Sequence, residues 1–262
     1  MCPKSVHILP LFAVLSSDFR SEWRLLATDL YSERLSRENS KEGYLIVSVR
    51  KPPRRGVRGK NVGKFFSVKM NIMLWFESLL EEAFMYLLDF DPGVKRFKEQ
   101  PCRIRYILDG RARHYTPDIY IERENERQII EVKPKKKVIT EKYNLLFRII
   151  SPICEEEGYK FKVFTEETIM QQPRLNNVKA LWSYARTPLH PQYQIYCQEF
   201  LQEKQSVDLA EIFELFQAKN VPKQVVYALL FWGVMDFDLA EPLNPNSQIY
   251  LPGITADLRK AV

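Results

Sequence analysis

The chain is poor in the residues that build thiolate metal sites and disulfide frameworks. Only four of its 262 residues are cysteine, Cys2, Cys102, Cys154 and Cys197. They lie far apart, with no CxxC pair and no neighbouring histidine, so the spacing offers no zinc site and reads as free thiols in a reducing compartment. Histidine is scarcer still, with three residues. His7 and His190 have no motif around them, and His114 reads as a strand residue rather than a general base. No apolar run reaches the ~18 residues that a membrane span needs. The run Ile8 to Leu15 is short, follows a single Lys4 and lacks a small-residue cleavage site, so it does not read as a signal peptide. The expectation is a cytoplasmic protein with no membrane partner. No internal repeat is visible.

Charge is abundant, and its placement says more than its total. The formal net charge of +6 favours an acidic partner, nucleic acid first. Lys51, Arg54, Arg55, Arg58, Lys60, Lys64 and Lys69 fall together with no acid among them, which suits an arm on a phosphate backbone. A solvated loop is the plainer alternative. From Ser206 onward the acids Asp208, Glu211, Glu214, Asp236, Asp238, Glu241 and Asp257 outnumber the bases. The two ends of the chain therefore call for different partners, DNA and protein.

The length suits two domains, at roughly 150 residues each, plus an extension. Residues 1–44 form an N-terminal extension to which no role is assigned, with helical spacing from Arg20 to Leu35. Tyr44 to Val49 reads as a strand. Residues 74–90 carry an apolar stripe (Leu79, Leu80, Ala83, Phe84, Leu87, Leu88) that predicts a helix, stopped by Asp91-Pro92. Strands are expected at Val94–Glu99, Cys102–Leu108, His114–Glu122 and Gln128–Val132, with a hairpin turn at Asp109-Gly110. A helix over about 140–157 and a strand at Lys160–Thr165 complete an α/β sheet flanked by helices, a domain of residues 45–172. Pro173, Pro188 and Pro191 mark a connector. Residues 173–262 read as helices near 177–185, 193–203, 207–218 and 222–233, then two short extended pieces around Asn244-Pro-Asn-Ser247. That layout is winged-helix-like, for partner contact rather than DNA, since the region is net acidic.

The residues that carry chemistry are Asp118, after Thr116-Pro117, and Glu131-Val-Lys133. Two strands joined by a turn set Asp118 beside Glu131, and side chains two apart, Glu131 and Lys133, leave one strand face. Paired carboxylates bind a hard divalent cation through oxygen, and the cation lowers the pKa of a water for phosphodiester hydrolysis. Lys133 would orient that water or neutralise charge on the phosphate. Val132, whose side chain faces the core, lies within the metal-contacting stretch. A third carboxylate is expected from the 74–90 helix; Glu81 sits at the edge of its apolar stripe, with Glu77 one turn earlier and Glu82 adjacent, and spacing alone does not choose. Gln100, before Pro101, reads either as a polar neighbour of the metal site or as a strand-edge residue. Lys135, Lys136 and Lys137 either grip DNA at the mouth of the site or cap the strand end. An acid-x-Lys pair alone is a common accident; the order helix-Glu, Pro-Asp, Glu-x-Lys is that of restriction-endonuclease-like nucleases.

The motifs Ser78-Leu-Leu-Glu81, Asp89-Phe-Asp-Pro92, Glu99-Gln-Pro101, Tyr115-Thr-Pro-Asp118 and Glu131-Val-Lys-Pro134, in that order, resemble the TnsA family. These are endonuclease subunits of heteromeric Tn-type cut-and-paste transposases. Lys51-Pro-Pro-Arg-Arg-Gly56 and Gly63-Lys-Phe-Phe-Ser67-Val-Lys69 are similar to that family's basic entry segment. The resemblance runs from about Ser48 to Thr165. It implies Glu81, Asp118, Glu131 and Lys133 as catalytic residues, with Glu81 taken over Glu77 by the Ser-x-x-Glu match. It further implies Mg²⁺, as two ions with Mn²⁺ as a substitute, and cleavage near the 5′ transposon ends. Its partners would be a TnsB-like DDE transposase that cuts the 3′ ends and a TnsC-like AAA+ regulator. Two competing readings are a stand-alone restriction or junction-resolving nuclease and a non-catalytic DNA-binding adaptor.

Overall fold

A computed structural model describes Leu45–Ile46 and residues 61–252 of the chain. The expected helix at 20–35 and most of the basic arm, with Arg54, Arg55, Arg58 and Lys60, lie outside the described residues.

After β1 (Leu45–Ile46), β2 (Gly63–Ser67) and β3 (Ile72–Phe76) form an antiparallel hairpin. Its two sides differ: Phe65, Ser67, Leu74 and Phe76 are buried, while Lys64 and Met73 are exposed. The expected helix over 74–90 is thus shorter. It begins at Leu79, because Ser78 caps it and residues 72–76 are spent on the ladder with β2. This helix, α1 (Leu79–Phe90), buries Phe84, Met85, Leu87, Leu88 and Phe90. At ~1.5–3 kcal/mol for each large apolar side chain, that face contributes on the order of 10 kcal/mol gross.

The central sheet runs in the order β4 (Arg96–Glu99), β7 (Ile119–Glu122), β8 (Arg127–Val132), β9 (Lys160–Phe164). The first two pairings are antiparallel and the last is parallel. A parallel neighbour needs a crossover, here supplied by α2 (Lys135–Val138) and α3 (Glu141–Glu156). β8 is buried from Gln128 to Val132, as befits a strand with neighbours on both edges and cover on both faces. A second sheet has the order β1, β5 (Arg103–Leu108), β6 (Arg111–Tyr115). The stretch 114–122, expected as one strand, is therefore two strands in different sheets. Thr116 and Pro117 part them, and Pro117 has no N–H to give a ladder. This mixed sheet with flanking helices fits a restriction-endonuclease-like fold.

After α4 (Glu166–Ile169), α5 (Arg174–Trp182) packs on α1. Asp89, 1 % exposed near the end of α1, joins three elements. It accepts from Ser67 Oγ at 2.5 Å, from the Val68 and Lys69 N–H groups, and from Trp182 Nε1 at 2.9 Å. The remaining order is α6 (Pro191–Lys204), β10 (Ser206–Asp208), α7 (Leu209–Ala218), α8 (Lys223–Phe231), β11 (Gln248–Tyr250). β10 pairs antiparallel with β11, and Asp236 bridges Tyr250 on the far side. The strand between α6 and α7 was not anticipated; three residues are too few to carry a period.

Candidate active site

Asp118 stands one residue before β7, and its N–H donates to the Ile130 carbonyl at 3.0 Å, extending the β7–β8 ladder. Lys133 stands one residue past β8, and its N–H donates to the Phe164 carbonyl of β9 at 3.1 Å. Both backbones are thus fixed by sheet bonds, and their side chains meet at one end of adjacent strands. The Lys133 ammonium lies 2.7 Å from Asp118 Oδ2, 3.0 Å from Glu131 Oε1 and 3.2 Å from the Val132 carbonyl. Asp118 Oδ2 also accepts the Val132 N–H at 2.8 Å. Val132 faces this cluster through its backbone alone, since its side chain is core. Tyr115 closes the far side, donating its hydroxyl to Glu131 Oε2 at 2.5 Å.

Glu81 lies in the first turn of α1, where it forms a capping box with Ser78. Ser78 Oγ accepts the Glu81 N–H at 3.2 Å, while the Glu81 carboxylate accepts from Glu77 N–H at 2.8 Å and Ser78 Oγ at 2.9 Å. Such reciprocal bonds satisfy donors left open at a helix start. Its carboxyl is buried and lies within electrostatic reach of Asp118 and Lys133. Glu77 turns elsewhere and accepts from Gln100 Nε2 at 3.1 Å.

The electrostatics follow from crowding acids in a dry place. Burial first, and the Asp118 charge second, push the Glu81 carboxyl above its ordinary range. The same two causes raise Glu131. Burial pulls the Lys133 ammonium down, but Asp118 and Glu131 outweigh it and hold the group above the usual lysine value. At an effective dielectric near 20, each close pair is worth on the order of 4 kcal/mol before desolvation. One ammonium with two anions offsets the repulsion between them.

Among the described residues no three histidine, cysteine, aspartate or glutamate side chains are already gathered around one point. The donor set nonetheless suits a hard cation: oxygens of Asp118, Glu131 and Val132 converge on one positively charged atom, the Lys133 nitrogen.

Residues 91–166 match the family model described as TnsA-like endonuclease N terminal. The chain carries a TnsA-like endonuclease domain. No curated protein matches the chain. The TnsA-like segment contains Asp118, Glu131, Val132 and Lys133, whereas Glu81 lies upstream of it.

Around the TnsA-like segment, the other expected residues separate. The Gln100 N–H donates to the Asp118 carbonyl at 2.7 Å, so this residue, at φ 41°, braces the loop that presents Asp118. Lys64 is exposed and rests over the Trp75 ring, 4.8 Å from its centroid. Lys136 and Lys137 are exposed; Lys135 pairs with Glu167 at 2.5 Å. Lys69 is a correction to the expected DNA contacts. Its ammonium donates to the carbonyls of Leu88, Asp91 and Val94, and burial pushes its pKa down to about 8. Three backbone acceptors use its three donors, so it caps the end of α1 and has nothing left for a phosphate. Tyr115 is the site residue that the sequence reading missed as such. Its partner is 16 positions away, and the one available signal was its place beside Thr116-Pro117-Asp118.

Proposed function

We propose that this chain is the metal-dependent DNA endonuclease subunit of a Tn-type cut-and-paste transposase, cutting near the 5′ ends of the element. The observation that carries this reading is the convergence of Asp118, Glu131 and the Val132 carbonyl on one cationic atom, inside the TnsA-like segment. Asp118, Glu131, the Val132 carbonyl and Glu81 would hold Mg²⁺, as two ions, with Mn²⁺ able to replace it. The metal supplies Lewis acidity to a phosphoryl oxygen and to the attacking water. Lys133, whose ammonium sits beside both carboxylates, would orient the attacking water or neutralise charge on the scissile phosphate. The strand ends hold Asp118 and Glu131 in place, so little reorganisation accompanies the reaction. Lys64, Lys136 and the sequence-stretch cations Arg54, Arg55, Arg58 and Lys60 would grip the phosphate backbone.

Sequence recognition falls to a TnsB-like DDE transposase that cuts the 3′ ends. Residues 173–262 would form a winged-helix-like module for a TnsC-like AAA+ regulator. The pairing of β10, between α6 and α7, with β11, after α8, supports that layout. The test is a reconstituted transposition assay with Asp118→Ala, Glu131→Ala and Lys133→Ala. Each variant should lose 5′-end cleavage while 3′-end cleavage by the partner continues. The isolated chain should cut weakly or not at all. If all three variants cut normally, the assignment is wrong.

A further inference from the structure

The geometry points to Tyr115 as a positioning residue for the Glu131 carboxylate, an inference that rests on the metal reading above. Tyr115 ends β6, in the sheet that does not contain β8. Its ring is 8 % exposed and packed in a core with Ile104, Tyr106, Ile129 and Ile150, edge-on to Phe161 at 6.4 Å. The ring is thus rigid, and its hydroxyl meets Glu131 Oε2 at 2.5 Å. The other oxygen, Oε1, is the one that faces the Lys133 ammonium at 3.0 Å. The two oxygens are divided: one is anchored to the second sheet, and the other is presented to a cation. A glutamate carboxylate rotates about a broad terminal torsion, and a rigid donor on one oxygen selects a single orientation of it. Outer partners of this kind set ligand geometry and are worth roughly 10–100-fold in metal affinity.

A buried phenol also needs some acceptor simply to be buried. A role of that kind alone would cost stability and leave metal binding untouched. The experiment separates the two with the full chain, titrating Mn²⁺ by calorimetry without DNA. Tyr115→Phe should weaken Mn²⁺ by roughly tenfold or more. In the reconstituted complex it should raise the metal concentration for half-maximal cleavage by a similar factor, with the rate at saturating metal nearly kept. Phe161→Leu, which loosens the ring's packing but leaves the hydroxyl, should lower the melting temperature while weakening Mn²⁺ much less than Tyr115→Phe does. In the parent chain, Mg²⁺ should shift the tyrosine band in an ultraviolet difference spectrum; no shift counts against the idea whether or not Tyr115→Phe folds. Unchanged Mn²⁺ affinity in Tyr115→Phe, alongside its loss in Glu131→Ala, overturns the positioning role alone. Unchanged affinity in Glu131→Ala overturns the metal reading, and this inference with it.

Discussion

Glu81 has two jobs in this reading, a helix cap and a metal ligand, and they can be separated by substitution. Glu81→Ala removes the acceptor for Glu77 N–H and Ser78 Oγ. Losing such a cap costs ~0.5–2 kcal/mol. Against this, the substitution relieves a carboxyl that burial and the Asp118 charge already disfavour, so the two effects oppose. The net change should stay within about 1 kcal/mol, or ~2–4 °C in melting temperature. Cleavage should respond very differently. A charge-stabilising group at a reacting centre is worth ~10²–10³ in rate, so strand-specific cleavage in the reconstituted complex should fall by about that factor at saturating Mg²⁺. Glu81→Gln keeps an acceptor oxygen for the cap and should melt still closer to the parent, with cleavage equally reduced. Glu77→Ala loses a bond from Gln100 and should keep cleavage within about threefold, under ~0.7 kcal/mol of barrier. The reverse pattern, with Glu81→Ala active and Glu77→Ala inactive, would show that the helix carboxylate has been misassigned.

Asp89→Ala should be far more damaging to the fold than anything done to Glu81. It strands the Ser67, Val68, Lys69 and Trp182 donors in the interior, and breaking a buried charged network of this kind costs ~3–5 kcal/mol. A fall of roughly 6–20 °C in melting temperature is expected; a fall under about 2 °C would show that water replaces the carboxylate. A pH series tests the raised carboxyls. Glu81, Asp89 and Glu131 are all held above their ordinary range, chiefly by burial. Between the unfolded value, near 4, and the raised one, the folded chain binds more protons than the unfolded chain, so their contribution to stability falls as pH rises. The melting temperature without metal should decline from about pH 5 to about pH 7, and Glu131→Gln should flatten that decline. A profile indifferent to Glu131→Gln contradicts the burial argument.

The site was most legible where short-range geometry decides it. Glu131 and Lys133 share a strand, and Asp118 enters the neighbouring strand, so alternation and one turn bring three charged groups together. The chain between Tyr115 and Asp118 was less legible. Its residues suit a strand throughout, and only Pro117 signals that the ladder stops there. The β2–β3 hairpin was hidden because Met73 to Phe76 is a continuous apolar run, which fits the start of a helix as well as a strand. Lys69 looked like one more cation in a basic stretch; its carbonyl partners on α1 and beyond are 19 to 25 residues away. Asp89 and Tyr115 likewise take their meaning from distant partners, which no periodicity reports. The family resemblance supplied the preference for Glu81, and the capping box explains why a serine precedes it by three.

Thr116 and Pro117 have a consequence for how this domain can vary in length. Tyr115 is in register with Ile104 in one sheet, and after two intervening residues Asp118 bonds to Ile130 in the other. Two residues are therefore a spacer of fixed length between a phenol and a carboxylate that serve the same cluster. An added residue would slide one register against the other and part Tyr115 from Glu131 or Asp118 from Lys133. The Asp109-Gly110 turn at the far end of β6 is a different case: nothing lies within 4 Å of where a Gly110 side chain would begin. Insertions should accumulate at that turn and be purged at Thr116-Pro117, though the two sites stand only a few residues apart on one short strand.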